Sequence, residues 1–309
     1  MFKTPILFLT YKRYETTEKV FNQIAQIKPC NFFFVSNAPN PSNYQNEIAS
    51  IKKIRNLSKQ ITWDCKLNIL FRDEHLQVRE SIVSSINWFY ESVEEGIILE
   101  DDCLPSLSFF YFCEDLLNRF RHDDNIFSIN GSCFYSNPIL PANSYMLSNH
   151  NYVWGWATWR RSWELYSKEL SDWPRNRNLL VKKIWPNSFF IRSYWRFIFQ
   201  EVFDDNIKTW DYQMLYTMWN NRMYSIIPNM NLVSNIGFGI DATFTKDNTA
   251  IGANCPSYEI DFPLYIPSRL QRNLLDEEVI QKNNFIHNKL YYVFNYYRSL
   301  FREYVNRIR

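Results

Sequence analysis

Glycine is scarce in this chain, with six residues among 309. Nucleotide-binding loops that cradle phosphate groups with backbone amides are rich in glycine. The first apolar stretch, PILFL, is followed by TYKR instead. The sequence therefore lacks a glycine-rich phosphate loop after its first predicted strand.

Long apolar runs and closely paired cysteines are also missing. No stretch approaches the roughly 18 apolar residues that span a bilayer, and the run Pro5 to Leu9 is too short for an export signal. The six cysteines include no C-x-x-C pair, which argues against a zinc site. We therefore expect a cytoplasmic protein whose thiols are reduced and buried.

Charge is nearly balanced, whereas aromatic residues are abundant. A net charge of +2 gives no reason to expect a nucleic-acid partner. Phenylalanine, tryptophan and tyrosine make up 18% of the chain. Such residues line sugar-binding clefts, but they also fill ordinary cores, and we expect most of them to be core.

Short apolar runs alternate with segments of helical periodicity. Continuous apolar runs predict buried strands at 5–10, 31–36, 67–71, 96–102, 127–130 and 224–228. Helical spacing predicts helices at 15–28, 48–57, 80–95, 106–121 and 207–221. This alternation predicts an α/β fold with a mixed, mostly parallel sheet flanked by helices.

Three polar clusters follow predicted strands, at 10–13, 36–39 and 100–102. Ligands of such sheets bind beyond the carboxyl ends of the strands, so these clusters are expected to form one pocket rim. Near residue 150 the chain becomes rich in tryptophan. We therefore expect three regions, a ligand-binding lobe at 1–150, a second lobe at 151–265 and a helical segment at 266–309.

The densest cluster is Glu100, Asp101 and Asp102, directly after the apolar run IIL. Adjacent carboxylates repel each other and lose hydration unless a cation offsets them. Alternation along a strand would turn Glu100 and Asp102 to one side and Asp101 to the other. Mg²⁺ and Mn²⁺ prefer such oxygens and commonly take one or two carboxylates together with substrate phosphates. The cluster therefore indicates either a metal–diphosphate site or a solvated acidic turn.

Several sequence blocks in a fixed order resemble the GT-A fold glycosyltransferases with a DxD-type motif. The blocks are TYKR, SNAP, EEGIILEDDCLP, WGWATWRRSW, TWDYQ and PNMNLVSNIGFGIDAT. The family in question is a bacterial group of nucleotide-sugar transferases from surface-polysaccharide clusters, similar to the eukaryotic N-glycan N-acetylglucosaminyltransferase I. The resemblance implies a Rossmann-like GT-A fold and an inverting sugar transfer from a nucleotide diphosphate donor, expected to be a UDP-sugar. It also implies Mn²⁺ or Mg²⁺ as cofactor, a donor-binding role for 1–150 and an acceptor-side role for 151–265.

The resemblance further implies roles for single residues. Asp102 would bind the metal, and Glu100 and Asp101 would hold hydroxyls of the ribose and donor sugar. The other positions with an implied donor-binding role are Thr10, Tyr11, Arg13, Ser36, Asn37 and Arg79. Arg13 would lie near the base or diphosphate, and Asn37 would contact the base together with its neighbour. The family often carries aspartate at the position of Asn37, whose amide can pair with uracil or with another pyrimidine.

Transfer to an acceptor hydroxyl requires a base that takes its proton. Asp211 follows Trp210 and precedes a tyrosine, an apolar setting that raises the pKa of a carboxylate toward useful basicity. The resemblance also assigns the base to this Trp-Asp pair, and Asp241 is the second candidate. The alternative is that Asp211 caps a helix or pairs with one of the arginines at 160–161.

The block WGWATWRRSW is expected on the acceptor side. Gly155 lets the backbone pass closely, and Trp154 or Trp156 would stack on a sugar face unless both belong to the core. Arg160 would approach the diphosphate or lie on the surface. Segment 242–256 resembles the loop that closes over bound donor in the relatives, and such loops exclude water.

The last segment, 285–309, carries one apolar helical stripe and several basic residues. A helix packed on the body of a protein shows such a stripe. A helix on an anionic membrane surface shows it as well. We therefore expect either packing on the body or contact with the inner face of the cytoplasmic membrane.

The leading hypothesis is an inverting, metal-dependent glycosyltransferase that acts on a glycan or lipid-linked acceptor in surface-polysaccharide biosynthesis. A sugar-1-phosphate nucleotidyltransferase is one alternative, and the missing glycine-rich loop argues against it. A non-catalytic glycan-binding protein on the same scaffold is the other alternative. The intact carboxylate cluster and the Trp210-Asp211 pair argue against that.

Overall fold

A computed structural model describes residues 1–134, 143–238, 255–267, 270–284, 286 and 289–308. Strands within these residues are β1 (Ile6–Thr10), β2 (Asn31–Ser36), β3 (Lys66–Phe71), β4 (Glu95–Glu100), β5 (Cys103–Pro105), β6 (Ile126–Asn130), β7 (Tyr145–Ser148), β8 (Trp156–Trp159), β9 (Tyr224–Pro228) and β10 (Val233–Asn235). Helices are α1 (Tyr14–Ile27), α2 (Tyr44–Asn56), α3 (Val78–Tyr90), α4 (Leu107–Arg119), α5 (Arg160–Trp163), α6 (Trp173–Ile184), α7 (Phe189–Phe203), α8 (Asp211–Asn220), α9 (Leu274–Asn284) and α10 (Lys289–Ile308).

One mixed sheet contains eight of these strands, in the order β3-β2-β1-β4-β8-β6-β9-β7. Strands β3, β2, β1 and β4 are parallel neighbours, and β6 is parallel to β9. Strand β8 is antiparallel to both β4 and β6, and β7 is antiparallel to β9. The remaining strands run in one direction, which confirms the predicted α/β fold with a mostly parallel sheet.

Helices cover both faces of this sheet, which explains the continuous apolar runs. All five residues of β1 are buried, and successive side chains of a strand point to opposite faces. Leu7 and Leu9 pack in a core with residues of α3, α6, α7 and α8. Ile6 and Phe8 pack in a second core with residues of α1 and α4. Strands buried on both faces cannot alternate apolar with polar residues.

The carboxyl ends of β1, β2 and β4 lie side by side at one edge of the sheet. In the parallel register, Thr10 is opposite Ser36 and Leu9 is opposite Glu100. The three polar clusters that follow these strands therefore begin at neighbouring positions. The sequence predicted that all three would form one pocket rim. Clusters 10–13 and 100–102 contribute residues to a cavity, and cluster 36–39 does not.

The tryptophan-rich region holds elements that the sequence did not predict, namely β8, α6 and α7, and β7 lies just before it. Strand β8 has four residues, too few to show a periodicity. It lies between β4 and β6, so the boundary expected at residue 150 falls within one continuous sheet. Trp173 and Trp195, from α6 and α7, belong to the same core as β1. Region 151–265 therefore completes the sheet and its helical cover.

Three predicted helices are shorter in the structure, and one of them is α4, which spans Leu107–Arg119. Helix α3 ends at Tyr90 because the next residues turn into β4, which begins at Glu95. Helix α8 begins at Asp211, with Trp210 at its N-cap, instead of at residue 207. This later start places Asp211 in the first turn of the helix.

The C-terminal helix α10 packs on α7. The ring of Tyr292 lies 4.8 Å from that of Tyr194 and 5.9 Å from that of Phe197, measured between centroids. Tyr296 and Ser299 on the same side are buried. One face of α10 therefore lies against the body of the protein. Across the described ranges, no helix is both long and apolar enough to cross a membrane.

Gly155 leads into β8 with a φ of +65°, a conformation that favours glycine. A Cβ atom at this position would lie 2.7 Å from a methyl group of Val233 in β10. The glycine of the WGW block is therefore required by its backbone angle and by the close approach of β10.

We predict that Gly155→Ala lowers the free energy of unfolding by about 1–3 kcal/mol, because it adds strain at a positive φ and overpacks the contact with Val233. Urea unfolding followed by tryptophan fluorescence measures this loss. Val233→Ala opens space for the added methyl group, so the double variant should lose less stability than the sum of the two single variants. Strictly additive losses would show that the contact with Val233 is not the cause.

Candidate functional site

A cavity of about 410 Å³ lies beside the carboxyl ends of β1 and β4. This volume is within the usual range for small-molecule sites. Its lining residues are Arg13, Val78, Glu100, Asp102, Val153, Trp154, Ile207, Lys208, Thr209, Trp210, Asp211, Tyr212, Asn235, Gly237 and Phe238. The walls thus combine carboxylates and two cations with a broad apolar and aromatic surface.

Arg13, at the start of α1, joins the ends of β1 and β4. Its Nη2 atom lies 2.9 Å from Oδ1 of Asp101 and 2.7 Å from Oδ2 of Asp102. Its Nη1 atom donates to the backbone carbonyl of Gly237 at 3.2 Å. One guanidinium therefore connects the turn after β4, the start of α1 and the segment after β10.

The three adjacent carboxylates face different surroundings. Strand β4 ends at Glu100, and the two aspartates form a turn. Asp101 is buried and accepts a hydrogen bond of 3.0 Å from the backbone amide of Tyr11. Glu100 and Asp102 line the cavity. The two residues expected to share a side do so, although a turn and not a continuing strand places them there.

Negative charge exceeds positive charge at this end of the cavity. Burial raises the pKa of Glu100 well above its usual range, and the charges of Asp102 and Asp101 add to the effect. Burial also raises the pKa of Asp101, although Arg13 opposes it. Burial lowers the pKa of Arg13, but the two aspartates outweigh it and the net pKa is raised. A single arginine facing three carboxylates leaves a charge that a bound cation would offset.

The two carboxylates that line the cavity have the ligand chemistry of a hard divalent cation. Glu100 and Asp102 present oxygens to the cavity, and Mg²⁺ and Mn²⁺ prefer oxygen ligands that include substrate phosphates. In the part of the chain that the structure describes, no group of three or more His, Cys, Asp or Glu could hold a metal alone. Glu100 and Asp102 could therefore supply at most part of the coordination of such an ion.

Asp211 lies in the wall of the same cavity, at the first position of α8. Burial raises its pKa, while hydrogen bonds from the Thr209 hydroxyl and from the first backbone amides of α8 lower it, and the net pKa is raised. The expected ion-pair alternative is not what the structure shows, since Arg160 pairs with Glu94 at 2.7 Å and Arg161 pairs with Asp124 at 3.9 Å. The Asp211 carboxylate accepts hydrogen bonds at the start of α8, as a capping residue does, and it also lines the cavity. Access to the cavity is what a general base requires.

The structure brings Trp154 to the cavity but not Trp156. Trp154 is partly exposed and lines the wall. Trp156 is fully buried and stacks on Trp210 with 5.9 Å between ring centroids. Arg160 donates to the Val93 carbonyl and pairs with Glu94, and it does not line the cavity. The aromatic contact expected of the WGW block is therefore available from Trp154.

The polar side chains expected to contact the base are hydrogen-bonded within the protein. Oδ1 of Asn37 accepts from the backbone amides of Ala38 and Leu76 at 3.0 and 3.1 Å. Its Nδ2 donates to the Leu76 carbonyl at 2.8 Å. Thr10 and Ser36 also bond to neighbouring elements. These side chains hold the strand ends in place, and the bonds of Asn37 use its amide oxygen and one of its two N–H groups.

Two further predicted features are not part of the described cavity wall. Arg79 pairs with Asp205 at 2.8 Å and with Glu80 at 3.3 Å, while its neighbour Val78 lines the cavity. Asp241 and residues 242–254 of the expected closing loop lie outside the described residues.

Glu47 supports the site, and sequence reasoning missed it. Its carboxylate accepts from the Tyr11 hydroxyl at 2.5 Å and from the Lys12 ammonium at 2.9 Å. It also accepts from the Asn40 amide at 2.8 Å and from the Asn43 side chain at 3.1 Å. Glu47 is 3% exposed and fastens the loop after β1 to the loop after β2. A single glutamate in a helix carries no local signal of such a role.

Lys208 and Gly237 were also not predicted as site residues. Lys208 lines the cavity three positions before Asp211. A Cβ atom on Gly237 would meet the Asp102 carboxylate and the Arg13 guanidinium. Gly237 lies within one of the blocks that carry the family resemblance, and Lys208 lies directly before another. Their position was the sequence signal that could have identified them.

Comparisons with known proteins give no family. No family model matches the chain, and no curated protein matches it. Among solved structures, HddC from Yersinia pseudotuberculosis is 11% identical, with 56% of this chain and 86% of that chain covered at a TM-score of 0.33. An inositol-1-phosphate CTP transferase from T. maritima is 11% identical over 53% of this chain and 74% of that chain, with a TM-score of 0.31.

A UDP-glucose pyrophosphorylase complexed with UDP-glucose is also 11% identical. It covers 48% of this chain and 64% of its own, with a TM-score of 0.28. Scores this low do not establish a shared fold. The α/β assignment therefore rests on the strand order and pairing of this protein.

We predict that Glu47→Gln destabilises the protein in a pH-dependent way. Burial raises the pKa of Glu47, but hydrogen bonds led by that from Tyr11 outweigh it and hold the pKa at about 2. A lowered folded-state pKa gives stability that is present above the unfolded pKa and is lost as pH falls toward the folded value. The loss in unfolding free energy should be about 3 kcal/mol near pH 7 and about 1 kcal/mol near pH 3.

Urea unfolding over this pH range measures the effect. Glu91→Gln, at an exposed position after α3, is the matched control and should change stability little at any pH. A Glu47→Gln loss that stays constant down to pH 3 would contradict the assigned cause.

Proposed function

We propose that this protein is an inverting, metal-dependent glycosyltransferase that uses a nucleotide diphosphate sugar, with a UDP-sugar as the expected donor. The observation that carries the proposal is that one cavity contains both the carboxylates Glu100 and Asp102 and the separate carboxylate Asp211. Sugar transfer needs a site for the donor diphosphate and a base for the acceptor hydroxyl. The two sets of carboxylates supply these two functions.

The donor end of the cavity is formed by Arg13, Glu100 and Asp102. Asp102, with Glu100 beside it, would hold Mn²⁺ or Mg²⁺, and the bound ion would neutralise charge on the leaving diphosphate. Arg13 and Lys208 add positive charge in the same cavity, which stabilises the departing group electrostatically. Asp101 holds Arg13 and the Tyr11 amide in place.

The acceptor end is formed by aromatic residues around Asp211. Trp154, Tyr212 and Phe238 line the cavity, and aromatic faces pack well on the apolar faces of sugar rings. Asp211 takes the proton of the acceptor hydroxyl as that oxygen attacks the anomeric carbon. By the family resemblance, the acceptor is a glycan or lipid-linked oligosaccharide of surface-polysaccharide biosynthesis.

A sugar-1-phosphate nucleotidyltransferase is the competing enzyme class. It releases pyrophosphate from a nucleoside triphosphate and a sugar phosphate, and it needs no base for an acceptor hydroxyl. The proposed enzyme releases a nucleoside diphosphate from a nucleotide sugar. Incubation with panels of nucleotide sugars and of nucleoside triphosphates plus sugar phosphates, with Mn²⁺, separates the two classes. Release of pyrophosphate alone would overturn the proposal, and no release from any substrate would favour a glycan-binding protein.

We predict that Asp211→Asn retains donor binding but lowers turnover by about 100- to 10,000-fold, because the amide cannot accept the proton. Burial raises the pKa of Asp211, so wild-type activity should increase as pH rises through a value above the usual range of aspartate. The variant should lack this increase. Asp261→Asn, at an exposed position, is the control and should keep the wild-type profile. Wild-type turnover in Asp211→Asn would assign the base elsewhere.

We also predict that Asp102→Asn weakens Mn²⁺-dependent binding of UDP. Removal of a direct metal ligand should lower the affinity by at least roughly tenfold to 100-fold, which is the loss typical when a residue that only supports a ligand is removed. Isothermal titration calorimetry with Mn²⁺ and with EDTA measures the difference, which should be much larger with Mn²⁺ than with EDTA. Equal wild-type and variant affinities in Mn²⁺ would remove Asp102 from the metal site.

A further inference from the structure

Helix α10 has a second apolar face that the body of the protein does not cover. Leu290, Phe294, Tyr297 and Phe301 are 74%, 67%, 57% and 67% exposed. At about 100° per residue, these four side chains fall within an arc of about 60° on the helix. The face that packs on α7, with Tyr292, Tyr296 and Ser299, lies on the opposite side. We call the four exposed residues the apolar strip.

Scattered exposed apolar residues are ordinary in proteins, but a continuous row is not. The apolar strip extends over three turns of one helix and contains three aromatic side chains. These side chains are not needed to hold α10 on α7, because the opposite face does that. Their arrangement therefore indicates a surface that is covered by something else.

Charge on the helix indicates what covers the apolar strip. Helix α10 contains four basic residues and one acidic residue, Lys289, Arg298, Arg302, Arg307 and Glu303. Arg298 is exposed and lies four positions after Phe294 and three before Phe301, so it borders the strip. Basic residues beside an aromatic and aliphatic face are typical of helices that lie in the interface of an anionic bilayer. A second copy of the protein would place positive charge against positive charge.

We propose that the apolar strip of α10 docks onto a phospholipid surface with anionic head groups. The helix lies in the plane of the interface, with the strip inserted among the acyl chains and head groups and Arg298 at the level of the phosphates. The opposite face stays packed on α7, so the protein binds without unfolding its C-terminal helix. The proposal does not depend on the chemistry of the cavity.

The test measures co-sedimentation of the full-length protein with vesicles of phosphatidylglycerol and phosphatidylcholine, without nucleotide or metal. The double variant Phe294→Gln with Phe301→Gln removes two exposed rings without touching the face on α7. It should reduce partitioning by about tenfold or more. Vesicles of phosphatidylcholine alone, or added salt, should weaken binding of the wild-type protein as well.

Tyr265→Gln with Ile266→Gln is the matched control, since these side chains are 67% and 56% exposed but lie outside α10. This variant should bind vesicles like the wild type. Absence of wild-type binding, or equal binding by the strip variant, overturns the proposal. Analytical ultracentrifugation tests whether a second copy of the chain covers the apolar strip instead. A dimer that the strip variant abolishes would show this and would overturn the proposal. The vesicle assay does not measure enzymatic activity, so its result does not depend on whether the proposed function is correct.

Discussion

The ion pairs of Arg13 with Asp101 and Asp102 are the interaction on which the site depends. They compensate carboxylates that the fold buries at the end of β4, where uncompensated charge would be strongly destabilising. One arginine can do this because β1 and β4 are parallel neighbours, so the loop after one strand lies against the turn after the other. The compensation is incomplete, and under the proposed function a bound cation would offset the remaining charge. The same ion pairs therefore stabilise the fold and, under the proposed function, set the charge that a bound cation meets.

Around this centre, a strand and a helix hold the two carboxylates that are proposed to act on substrate, and hydrogen bonds between loops support them. Glu100 extends from a buried strand and Asp211 from the first turn of a helix, so both carboxylates are fixed by packed structure. Glu47 and Asn37 do not reach the cavity, yet their hydrogen bonds hold the loops that border it. Such supporting contacts keep reactive groups in position more reliably than the loops could alone.

The hydrophobic pattern of the sequence predicted six of the eight strands of the large sheet. Strands buried on both faces have continuous apolar runs, and β2 and β9 have the bounds that those runs indicate. Pattern failed for β8, which is short and acquires its role only by pairing with β4 and β6. The carboxylate cluster was visible because its charges are adjacent in sequence. Glu47 was not predicted because its four partners come from two separate loops, after β1 and after β2. The bonds of Asn37 depend on Leu76, far along the chain.

The position of β8 has a consequence for the order in which the chain can fold during synthesis. Strands β4 and β6 do not pair with each other, and β8 lies between them and pairs with both. Until Trp159 has emerged from the ribosome, β4 presents an open edge, and such edges invite pairing with other chains. The N-terminal half of the nascent chain therefore cannot complete the sheet before β8 has been synthesised. A chaperone that shields the edge of β4 would act during this period.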